Sequence, residues 1–96
     1  MLMLVTYDVN TSSPAGQKRL RKVAKLCERY GLRVQNSVFE LLVDPAQLAT
    51  LKSELAAIID HDHDSVRFYR LGNSYQTRID TMGLTGLVQT GEPILL

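Results

Sequence analysis

Three groups of residues in this chain have side chains able to do chemistry. The most conspicuous is Asp60, His61, Asp62, His63 and Asp64, which sets three carboxylates and both histidines of the chain in five consecutive positions. These are zinc-binding residue types, but adjacent ligands would have to wrap one ion within a single loop. The i,i+4 helical or strand-paired spacing of such sites is missing. The stretch also falls between a helix-like segment and a strand-like one, where polar residues serve solvation and turns. A solvated connection is therefore predicted. Imidazoles among carboxylates also make this loop the place where the chain would sense pH.

The second candidate is Asp8, at the carboxyl end of a strand-like run and directly before a loop, with Tyr7 on the opposite face. A single aspartate at a strand end ordinarily forms a turn or caps a helix. Two copies across a two-fold axis have another use, because magnesium takes one or two protein carboxylates and keeps several waters. Such an ion, Mg2+ with Mn2+ as the alternative, polarises a phosphodiester and activates water for in-line attack.

The third group is basic. Residues 18 to 33 hold Lys18, Arg19, Arg21, Lys22, Lys25, Arg29 and Arg33, seven of the eleven Lys and Arg residues, against the single acid Glu28. At about 100° per residue, Lys18, Arg21, Lys22, Lys25 and Arg29 form a stripe opposite Leu20, Val23, Ala24 and Cys27. A solvated face is the plainer explanation of a charged stripe. A one-signed row without glutamate partners fits phosphate contacts better, and net charge matters less here than its clustering, since the whole chain is only +1.

The elements that must hold these residues follow from pattern. "LMLVTYDV" alternates Met3, Val5, Tyr7 and Val9 against Leu2, Leu4, Thr6 and Asp8, a strand with apolar residues on both faces. Ser13 before Pro14 marks a helix start, and Gly31 a stop, so the first helix is predicted from about Pro14 to Tyr30. "LRVQNSVFELLV" reads as two short strands with a tight turn near Gln35 to Ser37. Asp44, Pro45 and Gln47 form a capping box for a second helix that carries Leu48, Leu51, Leu55, Ile58 and Ile59. "SVRFYRL" is the next strand. The order β-α-β-β-α-β is the α+β, ferredoxin-like split pattern, assigned to residues 1–71. Residues 72–96 form a tail whose Ile94 to Leu96 would add an edge strand to its own sheet or a partner's.

Helices cover one face of such a sheet. The second apolar face calls for cover, best supplied by a homodimer packed sheet to sheet, or else by the tail folded over it in a monomer. At 96 residues the chain makes one domain with a modest core. No apolar run approaches a membrane span, the N-terminus has no basic region like that of a signal peptide, and the single Cys27 falls at a core position of the first helix. A reducing cytoplasm and no membrane partner are expected.

"YDV" ending the first strand, the basic helix ending in "YG", then "LRVQNSVFE" and "DSVRFYRLG" together resemble the CRISPR-associated protein 2 family, the small partner of the CRISPR integrase. The resemblance spans residues 1 to about 72, and the tail through "GEPILL" is similar to that of members accompanying the I-C type of system. It implies a ferredoxin-like homodimer, a metal-dependent endonuclease activity on DNA or RNA, and a role in acquiring spacers. Asp8 then matches the metal aspartate, and Arg33, Ser37 and Phe39 match positions of the active cleft. Arg19 and Lys22 are approximate equivalents of phosphate-binding residues, beside Lys18, Arg21 and Lys25. Expected partners are duplex DNA, with single-stranded RNA as a second candidate, and the integrase. The alternative function is a non-catalytic dimeric adaptor that bridges the integrase and holds duplex DNA. A ferredoxin-like small-molecule sensor is disfavoured by the basic row.

Overall fold

The structure is a computed structural model that describes residues 1–83. Its elements are β1 (Leu2–Asp8), α1 (Pro14–Cys27), β2 (Gly31–Gln35), β3 (Val38–Leu42), α2 (Pro45–Ile58) and β4 (Ser65–Gly72), followed by a 3-10 turn at Tyr75–Thr77. The four strands make one sheet in the order β2-β3-β1-β4, with every neighbouring pair antiparallel. This is the ferredoxin-like arrangement predicted from element order. The edge strand expected at Ile94 to Leu96 lies outside the described residues, as does most of the tail compared with I-C type members.

Both helices start where their capping residues dictate. The Ser13 hydroxyl accepts from the Gly16 amide at 3.1 Å, with Pro14 at the first helical position. At α2 the capping box is reciprocal: the Gln47 amide donates to Asp44 Oδ1 at 2.7 Å, and the Asp44 amide to Gln47 Oε1 at 2.9 Å. The end of α1 differs from expectation, since the helix stops at Cys27 and not at Tyr30. There the Arg29 and Tyr30 amides donate to Leu26 and Cys27, a tightening to i−3 bonds that turns the chain into β2. Gly31 therefore opens β2. A Cβ at this position would stand 2.8 Å from the Leu41 Cα and overlap the Glu40 carbonyl, so glycine is what allows β2 to approach β3.

Strand alternation separates two faces. Met3, Val5 and Tyr7 of β1 and Phe39 and Leu41 of β3 are buried against Val23, Ala24, Leu26 and Cys27 of α1 and Leu48, Leu51 and Leu55 of α2. Each such side chain contributes roughly 1.5–3 kcal/mol on burial, so this single layer accounts for the fold's cohesion. Cys27 is core filling, and burial pushes its thiol up to about 12. The opposite face carries Leu4, Thr6 and Asp8 of β1, Val38, Glu40 and Leu42 of β3, and Arg67 and Tyr69 of β4, as the pairings Leu4 with Glu40 and Tyr69, and Thr6 with Val38 and Arg67, require. No helix among the described residues lies over it. Leu42 is 54% and Tyr69 43% exposed, so this part of the apolar second face foreseen in the strand pattern is left uncovered by the described residues.

Candidate active site

Asp8 closes β1, and antiparallel pairing brings two other chain segments to the same end of the sheet. Ser65, the first residue of β4, is its register partner. On the other side, the Tyr7 amide donates to the Ser37 carbonyl at 2.9 Å, which seats the β2–β3 turn beside the end of β1. Asp8 is exposed, and among the described residues its carboxylate makes no hydrogen bond or ion pair. The loop after it is held to the helix. Asn10 Oδ1 accepts from the Ser12 amide at 2.9 Å, and the Gln17 amide nitrogen donates to the Thr11 carbonyl at 2.9 Å. Gly16 has no Cβ because one would overlap the Asn10 carbonyl.

The nearest cation on the same face was not among the residues singled out from sequence. Arg67 pairs with Thr6, one pleat from Asp8, and its Nη1 lies 3.4 Å from the Tyr69 hydroxyl. The Tyr69 oxygen and, to a lesser degree, the Asp8 charge push the Arg67 pKa up. Alternation in "SVRFYRL" carried this signal, since it places Arg67 and Tyr69 on one side of the strand and Val66 and Phe68 on the other.

Arg33 and Phe39 are brought together, but not beside Asp8. They are register partners, with the guanidinium carbon 6.0 Å from the ring centroid, and Arg33 Nε donates to the Asn36 carbonyl at 2.8 Å, fastening the hairpin turn. Phe39 has no exposed surface and faces the helices, whereas Asp8 faces away from them. The expectation that Phe39 shapes the cleft is corrected within one protomer: its ring is part of the core and the floor under Arg33.

Asp64 is the residue whose role sequence reasoning understated. Its side chain is completely buried. It accepts from the Tyr7 hydroxyl, from Arg19 Nε at 2.9 Å and Nη2 at 3.3 Å, and from the Asp60 amide at 3.0 Å. Burial alone would raise this carboxyl; the Tyr7 hydroxyl, the Asp60 amide and Arg19 outweigh it and hold its pKa below the ordinary value. The same contact, with burial as the larger cause, pushes Tyr7 up to about 12. Arg19, expected as an approximate equivalent of a phosphate-binding residue, turns its guanidinium to Asp64 and gives the buried carboxylate a charged partner.

The remaining cations stand as the helical stripe foretold. Lys18, Arg21, Lys22 and Lys25 are exposed and form no salt bridge among the described residues, while Arg29 lies 3.8 Å from Glu54. They lie on the helix layer, and Asp8, Ser37 and Arg67 at one end of the sheet, so one protomer does not gather them into a single cleft.

The Asp60 to Asp64 stretch is a turn. Asp60 Oδ1 accepts from the Asp62 amide at 3.0 Å, its Oδ2 lies 3.1 Å from His63 Nδ1, and the Asp64 amide donates to its carbonyl at 2.7 Å. The Asp62 amide first, and then His63, lower the Asp60 pKa. His61 Nε2 lies 2.7 Å from the Ala56 carbonyl, at the end of α2. Among the described residues no three His, Cys, Asp or Glu side chains are grouped to hold a metal ion.

These features define a small ferredoxin-like α+β protein with, among the described residues, an unpaired carboxylate at one sheet end, a sheet face that no helix covers and a basic helix. The family model for "CRISPR associated protein Cas2" matches residues 1–79, and the chain belongs to this family. It is 55% identical over 95 residues to the "CRISPR-associated endonuclease Cas2" of Halalkalibacterium halodurans, covering 99% of each chain. It is 54% identical over 95 residues to the "CRISPR-associated endoribonuclease Cas2 3" of Rhodospirillum rubrum, covering 99% of this chain and 100% of the relative. Among solved structures, Streptococcus pyogenes Cas2 at pH 6.5 superposes with a TM-score of 0.83 at 60% identity, covering 86% of this chain and all of the other.

Proposed function

We propose that this chain is a nuclease of a CRISPR system that cleaves phosphodiester bonds as a symmetric dimer, with Asp8 of each copy as the essential carboxylate. The observation that carries this reading is the placement of Asp8: exposed, unpaired among the described residues, and on the same sheet face as the uncovered Leu4, Val38, Leu42 and Tyr69. A second copy packed on that face would remove this apolar surface from water and bring a second Asp8 to the first. The printed names of its relatives, endonuclease and endoribonuclease, support the same activity.

The donor set suits a divalent cation of the hard kind. One carboxylate per protomer, without a hydrogen bond or ion pair among the described residues, matches the preference of Mg2+ or Mn2+ for oxygen ligands and retained water. When bound, such an ion supplies charge neutralisation of the phosphodiester and a more acidic water. The protein's part is placement. Asp8 from both copies would hold the ion, Ser37 would set the adjacent wall through its carbonyl bond to Tyr7, and Arg67 would offer a cation to a phosphate oxygen on the same face. Lys18, Arg21, Lys22, Lys25 and Arg33 would hold the flanking backbone of duplex DNA or single-stranded RNA.

Asp8→Ala is expected to abolish cleavage in the presence of Mg2+ while leaving the dimer intact by sedimentation, and EDTA to do the same to the wild type. Full activity of Asp8→Ala in a clean preparation would sink the assignment. The exposed basic stripe, which needs nothing from Asp8, favours one second reading: a scaffold holding duplex DNA for the CRISPR integrase. Spacer acquisition in cells carrying Asp8→Ala would make that the physiological role.

A further inference from the structure

We propose that Asp64 is a positioning residue for Asp8, acting through a buried clamp that fixes the end of β1 from the side opposite the reacting carboxylate. The inference rests on the reading of Asp8 as the acting group. Its basis is the way three chain segments converge on one side chain.

Asp8 is the last residue of β1, and nothing beyond it continues the ladder. Its conformation therefore depends on its two anchors: the preceding residue and its register partner. The preceding residue is Tyr7, whose hydroxyl donates to Asp64. The register partner is Ser65, the residue directly after Asp64. Both anchors of Asp8 are thus joined to each other beneath the sheet by one hydrogen bond. Arg19 adds the second turn of α1 through two bonds to the same carboxylate, at 2.9 and 3.3 Å. The Asp60 amide adds the turn that precedes β4, at 3.0 Å. The four bonds come from three residues, Tyr7 of β1, Arg19 of α1 and Asp60 of the turn before β4, and so fix these segments relative to one another at the point where Asp8 emerges.

A fully buried carboxylate is costly unless it is fully satisfied, and Asp64 is supplied with donors for both oxygens. An aspartate serving only strand entry would not need partners 45 and 57 positions away in the chain. The arrangement has the form of a support layer beneath a reacting group, where small losses of order cost turnover more than binding. The polar atoms of Tyr7, Arg19 and Asp64 are engaged with one another, which separates their effect from that of the exposed cations of α1.

The test uses the full chain as wild type, Asp64→Asn and Tyr7→Phe. Asp64→Asn is isosteric and removes the charge; Tyr7→Phe removes one hydroxyl and keeps the core ring, so it remains informative where Asp64→Asn does not fold. Amide hydrogen exchange is followed at Tyr7, whose amide donates to the Ser37 carbonyl, and at Asp8, with Met3 and Val5 of the same strand as internal reference. Cleavage kinetics are measured on a defined oligonucleotide with saturating Mg2+. The expected result is exchange at Tyr7 and Asp8 faster by tenfold or more, with Met3 and Val5 unchanged, kcat lower by about tenfold and KM within twofold. A uniform rise in exchange along β1 would make Asp64 a general stabilising residue and overturn the proposal. So would unchanged kcat in variants whose strand end has loosened. A wild type without metal-dependent turnover would remove the nuclease reading instead, and the exchange pattern alone would then decide whether Asp64 fixes this strand end.

Discussion

Tyr7 and Asp64, separated by 57 positions in the chain, meet beneath the sheet, where the phenol hydroxyl donates to a carboxylate with no exposed surface. The neighbour of Tyr7, Asp8, points the other way and is open to solvent. Alternation alone thus divides this strand end: Tyr7 is bonded into the protein, and the Asp8 carboxylate has no hydrogen-bond or ion-pair partner among the described residues.

Removing Arg19 is expected to cost stability and not merely charge. Asp64 would keep its burial and lose its one cationic partner among the described residues, and a buried carboxylate left without its counter-charge destabilises the fold. Arg19→Ala should therefore lower the urea midpoint markedly. Lys22→Ala, three residues on and exposed, should leave stability within about 0.5 kcal/mol of wild type. Equal midpoints for the two variants would show that the Arg19 guanidinium is free in solution.

Alkaline stability should report the same contact. Tyr7 is raised from 10.0 to about 12, so the folded protein keeps its phenol protonated where the unfolded chain has begun to lose it. A raised pKa contributes stability that is complete below pH 10 and is lost as pH climbs through 12, by up to roughly 3 kcal/mol for such a shift. Wild type should lose stability faster than Tyr7→Phe between pH 10 and 12, read as the difference between their denaturation midpoints. Parallel curves would mean that the hydroxyl of Tyr7 is not held.

The clamp also marks where sequence reasoning stops. Ser13 with Pro14, and Asp44 with Gln47, were legible because a cap and its recipient lie within three residues. The hairpin turn and the two-faced β1 were legible because alternation has a fixed period. Phe39 and Arg33 were linked by family likeness as cleft residues, but only the register, Arg33 opposite Phe39 and Phe39 opposite Val5, shows that the ring points into the core. Asp64 sat within a visibly polar run, yet its partners are 45 and 57 positions away, and no local pattern encodes a contact at that range. The end of α1 was misplaced because Gly31 reads as a helix stop, whereas the backbone has already tightened at Leu26 and Cys27 and Gly31 opens β2.

Binding of duplex DNA should weaken steeply with salt, through the exposed cations and not through Arg19. Each phosphate neutralised contributes about 0.9 to the slope of log K against log salt concentration. Lys18→Ala, Lys22→Ala and Lys25→Ala should each reduce that slope by up to about one, measured by fluorescence anisotropy at several salt concentrations. A slope that none of these substitutions changes would place the nucleic acid on another surface.

The uncovered face of the sheet makes oligomeric state and activity a single question. Leu42 and Tyr69 are 54% and 43% exposed on the face that also carries Asp8, so a dimer formed there would bury the apolar surface and pair the carboxylates in the same event. A glutamate at either position would put a charge where each copy must dehydrate. Tyr69→Glu, alone or with Leu42→Glu, is expected to raise the dimer dissociation constant at least a hundredfold, about 3 kcal/mol, by analytical ultracentrifugation. Neither residue belongs to the core on the helix side, so the thermal unfolding of the protomer should remain cooperative. If two copies of Asp8 are needed for one site, activity per chain must then become concentration-dependent. Below the new dissociation constant it should rise in proportion to total protein, and above it level off near the wild-type value. Activity per chain that stays constant while the ultracentrifuge shows monomer would mean that one Asp8 suffices, and the symmetric pair would have to be abandoned even if the dimer exists.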